Sequence, residues 1–285
     1  MFQTVSFTQS NMRGCVILLG GFDGLHVGHR KLLARAKEYR LPVGVMTIVG
    51  GKSGGSLFTL REREKVFENA GVDFVFELPF GEIREMSPEQ FVKALETQFE
   101  PTAFVCGEDF RFGKSALGTP ERLRLLTKAQ VDVLPLMQLG GEKVSSSTVK
   151  RLLGAGDLSS ANELLGEPFF LLGRVVSGRQ VGRTIGFPTA NMAYPSEKFS
   201  IPLGVYETSV SVDGADYKGI TNFGAKPTFS DGQVCVETYI DGFSGDIYGR
   251  EILVQFVRKI RDIQKFESVE KLQRQLQMDL ASIRG

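Results

Sequence analysis

The only two histidines of the 285-residue chain, His26 and His29, stand three residues apart in the run GGFDGLHVGH, residues 20–29. Imidazole is the side chain best suited to handling charge and protons near neutral pH. Glycines at positions 20, 21, 24 and 28 let the backbone turn sharply and approach a phosphate chain without a side-chain clash. An apolar stretch, residues 15–19, precedes the run, and helix-forming residues follow it. Strand, glycine-rich turn and helix start make a ready anion site, because the first amides of a helix lack intrahelical partners and sit at the positive end of its dipole. A helix beginning near Gly28 puts both imidazoles on one face, within reach of one phosphate. Adenylyl or cytidylyl transfer asks little covalent help of an enzyme. It asks for positioning, and for donors aimed at the charge growing on the α-phosphate and on the leaving pyrophosphate. The plainer alternative is a buried turn whose histidines bond the backbone. A lone histidine would favour that reading; a glycine-framed pair after a strand favours phosphate chemistry.

A second constellation lies in SGRQVGRTIGFPTANM, residues 177–192. A loop with Gly182, Arg183 and Gly186 offers backbone donors and positive charge. Pro188 then leads into Thr189 and Asn191, two neutral oxygen ligands. Those suit Mg²⁺ bridging ATP phosphates, since Mg²⁺ takes oxygen ligands and keeps several waters. One further stretch, Gly50-Gly51-Lys52-Ser53, imitates the end of a Walker A loop, but the position five before Gly51 is Met46 where that pattern needs glycine. Residues 50–56 are therefore expected to form a mobile surface loop.

These residues need a scaffold. Up to about residue 157 short apolar runs (15–19, 42–48, 73–78, 103–106 and 131–136) alternate with helix-period segments. Nearly continuous apolar strands suit a parallel sheet covered on both faces. Helix starts are marked by capping boxes at Thr59-Leu60-Arg61-Glu62 and Ser87-Pro88-Glu89-Gln90, and by Thr119-Pro120. This predicts a doubly wound α/β domain. Short helices are expected at 147–153 and 159–165. Strand-like pieces follow at 169–176, 204–212, 217–221, 234–240 and 251–257, with Asp-Gly turns, as in a compact β-barrel. A last helix over 268–282 should face the core with Val269, Leu272, Leu276, Leu280 and Ile283. The expected domains are 1–158 and 159–285.

Composition bounds the function. Hydrophobic content is 42%, charged content 24%, and net charge +1 from 34 basic and 33 acidic residues, which gives no electrostatic footprint for nucleic acid or a membrane surface. Three cysteines, Cys15, Cys106 and Cys235, are far apart and without Cys-x-x-Cys spacing, as expected of buried reduced thiols in a cytosolic protein. The first residues lack an apolar core behind a basic start, and no apolar run approaches a membrane span. A cytoplasmic enzyme with small-molecule partners is expected.

The histidine run resembles the His-x-Gly-His motif of the nucleotidyltransferases that include pantetheine-phosphate, nicotinamide-mononucleotide and FMN adenylyltransferases. VCGEDFRFGKSALG (residues 105–118) and KVSSSTVKRLL (residues 143–153) resemble two segments of bacterial FMN adenylyltransferases. The Gly-Phe-Pro-Thr-Ala-Asn string, GITNFGAKPTF (219–229), VETYIDGFSGDIYG (236–249) and FVRKIRDIQKFESVEKL (256–272) resemble riboflavin kinase in order and spacing. From about Gly14 onward the chain is similar to the bacterial bifunctional riboflavin kinase/FMN adenylyltransferase family. The resemblance implies a nucleotidyltransferase domain followed by a riboflavin-kinase-like β-barrel with a terminal helix. It implies His26 and His29 as catalytic, with Gly21, Phe22, Asp23, Gly24, Gly28, Asp109, Ser145, Ser146, Ser147 and Lys150 binding nucleotide. In the second domain it implies Thr189 and Asn191 holding Mg²⁺ and phosphate, and Glu237 as base toward the ribityl 5′-hydroxyl. Taken alone, Glu237 reads as an exposed strand residue paired to Lys or Arg. The implied substrates are riboflavin, FMN and ATP, with FAD the product. The sequence departs from the family at residues 49–55, at Lys150 and at Lys226, the last two standing where arginine is usual. A riboflavin kinase with a vestigial first domain, and a flavin- or nucleotide-binding regulator without turnover, are the other readings.

Overall fold

The computed structural model describes residues 2–7, 12–50, 54–178, 182, 185–225 and 234–284. The chain divides after Thr148 into two compact units, Met1–Thr148 and Val149–Gly285, where the sequence suggested a boundary near residue 158.

In the first unit the strands are β1 (Gln3–Val5), β2 (Val16–Leu19), β3 (Val43–Val49), β4 (Phe74–Pro79), β5 (Ala103–Gly107) and β6 (Gln130–Leu134), with a two-residue hairpin, β7 (Gln138–Leu139) and β8 (Glu142–Lys143). The helices are α1 (Val27–Lys37), α2 (Leu60–Asn69), α3 (Phe80–Ile83), α4 (Pro88–Phe99) and α5 (Pro120–Leu126). Every residue of β2 is buried, as an interior strand covered on both faces requires. Both capping boxes form: Thr59 with Glu62 opens α2, and Ser87 with Gln90 opens α4. The main sheet runs β1-β4-β3-β2-β5-β6, all parallel. From β2 the chain winds outward through β3 and β4, then returns to lay β5 on the other side of β2. That reversal is a topological switch point, and the crevice beyond the carboxyl ends of β2 and β5 is where such sheets bind ligands. The phenylalanine cluster beneath it includes Phe74, Phe76, Phe99 and Phe104, all fully buried.

Helix α6 (Ser146–Ala155) spans the division, and α7 (Leu158–Leu165) opens the second unit's own elements, capped by Asp157. The strands are β9 (Phe169–Arg174), β10 (Thr189–Ala193), β11 (Gly204–Val212), β12 (Ala215–Ala225), β13 (Val234–Ile240) and β14 (Glu251–Arg261), followed by α8 (Val269–Arg284). The order β10-β13-β12-β11-β14-β9 is antiparallel throughout. The sheet curls until Val176, just beyond β9, bridges Asn191 of β10, its amide donating to the Asn191 carbonyl at 2.8 Å. One face encloses Tyr206, Phe223 and Phe256, packed edge to face. Hydroxyls of Thr208, Thr221 and Thr238 satisfy one another on that same buried face at 2.9 Å each.

Two expectations change here. β10 is not among the strands read from the sequence; it is a sheet edge with one full partner, directly after Pro188, a position that tolerates proline. On α8 full burial of apolar residues is confined to the last turns, where Leu280 and Ile283 meet Val205 and Ile220 on the outer face of the sheet, while Leu272 and Leu276 are half-buried. Val269 is 52% exposed rather than core-facing. The helix is held by polar ties as well: buried Asp279 takes bonds from Arg261 at 2.8–3.1 Å and from Gln275 at 2.8 Å. The three cysteines are free and buried, and burial pushes the Cys15 and Cys106 thiols up to about 11 and about 12.

Candidate active sites

The first site lies at the switch point. The chain leaves β2 into residues 20–26, and α1 starts at Val27 with His26 as its N-cap. The His26 ring folds back so that Nδ1 accepts the His29 amide at 3.1 Å. A Cβ at Gly28 would crowd this arrangement, coming 3.2 Å from that nitrogen. The two imidazoles stack, centroids 3.6 Å apart and planes 17° apart. His29 Nδ1 lies 2.9 Å from the carbonyl of Gly24, and Phe22 backs its ring at 4.3 Å. Gly24 itself has φ +151, and a Cβ there would meet Phe58 at 2.8 Å.

These contacts set the tautomers. His26 Nδ1 holds a lone pair, so the neutral ring carries its proton on Nε2. His29 Nδ1 faces an acceptor, so it carries the proton, and in the neutral ring Nε2 is the accepting nitrogen. His26 is 7% exposed, and burial holds its pKa down to about 4, against the opposing pull of Asp109. It is therefore a neutral N–H donor at pH 7. Burying a neutral histidine also couples stability to pH. The unfolded ring protonates near 6.5 and the folded one only near 4, so the stabilisation is complete above 6.5 and is lost as pH falls toward 4, by up to about 3 kcal/mol. Replacing His26 with Asn, a capping residue that does not titrate, should flatten the fall of the thermal midpoint between pH 6.5 and 4. Equal slopes in both proteins would remove this account.

The histidines line a cavity of about 890 Å³, at the upper end of the range for ligand pockets, whose other wall comes from the end of β5. Gly21, Phe22, His26, Gly28, His29, Asp109, Ser145 and Ser146 all border it. Asp23 and Gly24 do not. Asp23 is 1% exposed behind the turn, its carboxylate 3.9 Å from Arg63. Arg63 in turn donates to Thr47 Oγ1 at 2.8 Å, to the Phe58 carbonyl at 3.0 Å and to Ser56 Oγ at 3.2 Å. This buried guanidinium ties β3 to Ser56 and Phe58, just after the segment where the sequence departs from the family pattern; residues 51–53 lie outside the described residues. Ser145 caps α6 by accepting the Thr148 amide at 3.2 Å, and Ser147 is exposed and does not border the cavity. Lys150 falls in the second unit, its ammonium 5.9 Å from the Phe199 ring centre.

Sequence reasoning missed two parts of this cavity. Lys143, at the end of the β7–β8 hairpin, ion-pairs with Asp109 at 2.6 Å on the cavity wall. Its signal was a basic residue directly before the serine run. An apolar wall of Met46, Ile48, Phe80 and Ile83 joins Phe110 and Phe112, whose rings stack at 5.4 Å. The end of β3, α3 after β4 and the segment after β5 assemble it from the two sides of β2.

The second site lies on the outer face of the curled sheet. Register sets Asn191, Glu237 and Asn222 in one row across β10, β13 and β12, with Thr189 and Tyr239 paired in the next row of that face. Bare glycines frame the β10 end. A Cβ on Gly178 would come 2.7–2.9 Å from the Asn191 carboxamide, and one on Gly182 would lie 3.6 Å from Thr189 Oγ1. Asn191 Nδ2 donates to the Thr189 carbonyl at 3.2 Å, which turns its Oδ1 away from that carbonyl. Amides of Ile185 and Phe187 both bond the Gly182 carbonyl, closing the loop ahead of β10, and Gln273 of α8 donates to the Ile185 carbonyl at 3.2 Å. Gly186 has φ +80 in that turn, and Pro188 leads out of it. Arg183 and Lys226 lie outside the described residues.

A phosphate-type cavity at the switch point of a parallel sheet, and a hydroxyl, carboxamide and carboxylate on adjacent rows of one face of an antiparallel barrel, together define a two-unit transferase of the nucleotidyltransferase-plus-kinase class. A family model for FAD synthetase matches residues 8–148, and one for riboflavin kinase matches residues 165–285. The chain is 34% identical to the bifunctional riboflavin kinase/FMN adenylyltransferase of Pseudomonas fluorescens, over 96% of this chain and 93% of that one. It is 35% identical to the protein of the same description from Escherichia coli K12, over 96% and 93%. A solved structure from Streptococcus pneumoniae described as a macrolide-efflux protein superposes with TM-score 0.88 at 28% identity, covering 99% of both chains. Among the described residues no helix is long and apolar enough to cross a membrane. The chain belongs to the bifunctional riboflavin kinase/FMN adenylyltransferase family.

Proposed function

We propose that this protein makes FAD from riboflavin in two ATP-dependent steps, the second unit forming FMN and the first converting FMN to FAD. In the first step the ribityl 5′-hydroxyl of riboflavin attacks the γ-phosphorus of ATP. Glu237 accepts the hydroxyl proton, the bond to the β-phosphate oxygen breaks, and ADP leaves. A loose phosphoryl-transfer transition state asks only modest basicity of the carboxylate. Thr189 Oγ1 and Asn191 Oδ1, beside two bare glycines, are neutral oxygen donors that fit Mg²⁺. Those two oxygens would hold the ion beside the substrate phosphates. Bound there, the ion supplies charge neutralisation on the phosphates.

In the second step a phosphate oxygen of FMN attacks the α-phosphorus of ATP and pyrophosphate leaves. His26 donates from Nε2, and the Val27 and Gly28 amides at the start of α1 add donors toward the same charge. His29 holds the Gly24 turn and the His26 ring, and its Nε2 meets the phosphate chain when protonated. Ser146 and the α6 start bind phosphate oxygens. The apolar wall of Met46, Ile48, Phe80 and Ile83 suits the flavin ring. The observation that carries this reading is the histidine pair bordering a large, half-apolar cavity at the switch point. We place the protein in the cytoplasm, where its ATP is.

Incubation with riboflavin, excess ATP and Mg²⁺, resolved by chromatography, should give FMN first and FAD after it, and chelation of the metal should stop both. Accumulation of FMN without FAD would confine the activity to the kinase and sink the second step.

A further inference from the structure

Glu237 has a carboxamide on each side. Asn191 stands directly across from it on β10, and Asn222 directly across on β12. Side chains opposite one another on neighbouring strands leave the same face with Cβ atoms about 4.5–5.5 Å apart. The two flanks are not equivalent. Asn191 is 6% exposed and its amide is committed to the Thr189 carbonyl. Asn222 is half-buried, and its carboxamide makes no hydrogen bond among the described residues. It runs alongside Gly224, where a Cβ would come 3.6 Å from its Oδ1 and 3.7 Å from its Nδ2, so that neighbour places no side chain over it. Ile263 lies over Gly224, 2.8 Å from the same Cβ position, and gives this end of the row an apolar edge.

A half-buried carboxamide with unused donors and acceptor is a ligand for groups that both give and take hydrogen bonds. Hydroxyls are such groups; phosphates only accept near neutral pH. The β10 end, with its bare glycines and neutral oxygens, is suited to the nucleotide. In-line transfer requires the attacking oxygen on the side of the phosphorus away from the leaving group. The base must reach the attacking oxygen, so the alcohol belongs on the remaining flank of Glu237. We propose that Asn222 binds the hydroxylated chain of the alcohol substrate, so that phosphoryl donor, base and acceptor are ordered along β10, β13 and β12. This rests on the kinase reading above, and makes Asn222 a specificity residue for the polyol chain rather than for the flavin ring.

The test reads FMN plus FAD formed from riboflavin by the full-length protein, so that conversion of FMN by the first unit does not alter the reading of the kinase site. Lumiflavin, which has the ring and no polyhydroxylated chain, serves as inhibitor competing with riboflavin. Asn222→Ala should raise the riboflavin KM about tenfold or more, the scale of leaving partnered polar groups unpaired. The ATP KM and the lumiflavin inhibition constant should stay within about twofold of wild type, because neither ligand touches the carboxamide. A parallel weakening of riboflavin, lumiflavin and ATP would mean a structural role and overturn the proposal, as would an unchanged riboflavin KM. Should the alanine variant fail to fold, Asn222→Ser keeps a polar group at lower reach and reads the same split. Absence of FMN from the wild-type protein is a distinct outcome, and overturns the kinase reading together with this one.

Discussion

Replacing His29 with alanine should lower FAD formation from supplied FMN about 10²- to 10³-fold, the scale seen when one transition-state donor is removed, while FMN formation from riboflavin continues at the wild-type rate. The size of the effect follows from how much one ring does. Its Nδ1 holds the carbonyl of Gly24, in a turn whose backbone only glycine adopts comfortably, and its face stacks on His26 at 3.6 Å. Removing it takes away a potential donor and also frees the ring whose buried, neutral Nε2–H is aimed by packing. Asparagine at the same position can still bond Gly24 and should lose less than alanine. Rates of both reactions, with thermal midpoints to establish folding, check the expectation. Loss of both activities in a folded variant would contradict the division of labour between units, and undiminished FAD formation would remove His29 from the mechanism.

Glu237→Gln should do the reverse. Phosphorylation of riboflavin should fall about 10²- to 10⁴-fold, the usual contribution of a positioned general base, and conversion of supplied FMN to FAD should be unaffected. Glutamine keeps the shape of the side chain in its row between Asn191 and Asn222 but cannot take a proton from the attacking hydroxyl. Because strand pairing through β10 and β12 is backbone-borne, the fold should tolerate the change with little shift in midpoint. A variant that still makes FMN at near the wild-type rate would mean that the alcohol loses its proton to another group.

Much of the scaffold was readable from local pattern. Apolar runs marked the interior parallel strands because both of their faces are covered, and the capping boxes at Thr59 and Ser87 marked helix starts because that chemistry is complete within four residues. The edge strand β10 escaped because it combines a proline at its start with a single full partner. The exposed first turn of α8 escaped because an apolar stripe shows which face could be buried, not how far the partner extends. At the candidate sites, the histidine pair, the serines at the start of α6 and the Thr-Ala-Asn string are contiguous and were legible. Asp23 belonged to the legible run too, but structure turns it away from the cavity toward Arg63. Lys143, the apolar wall and Asn222 come from segments that pattern alone does not join.

By itself the sequence singled out the groups proposed to carry the chemistry: two imidazoles, a serine run, two neutral oxygens and one carboxylate, each in a short string whose spacing follows from a single turn or strand. It determined two units because parallel and antiparallel strands bury their faces differently. Only the tertiary structure decided which of these groups share a site, since Asp109 reaches the wall facing the histidines through the placement of β5 beside β2, and Asn222 reaches Glu237 through the register of β12 on β13. The physical reason is the same in both cases. Strand neighbours are chosen by non-local pairing and burial, and no local propensity encodes them.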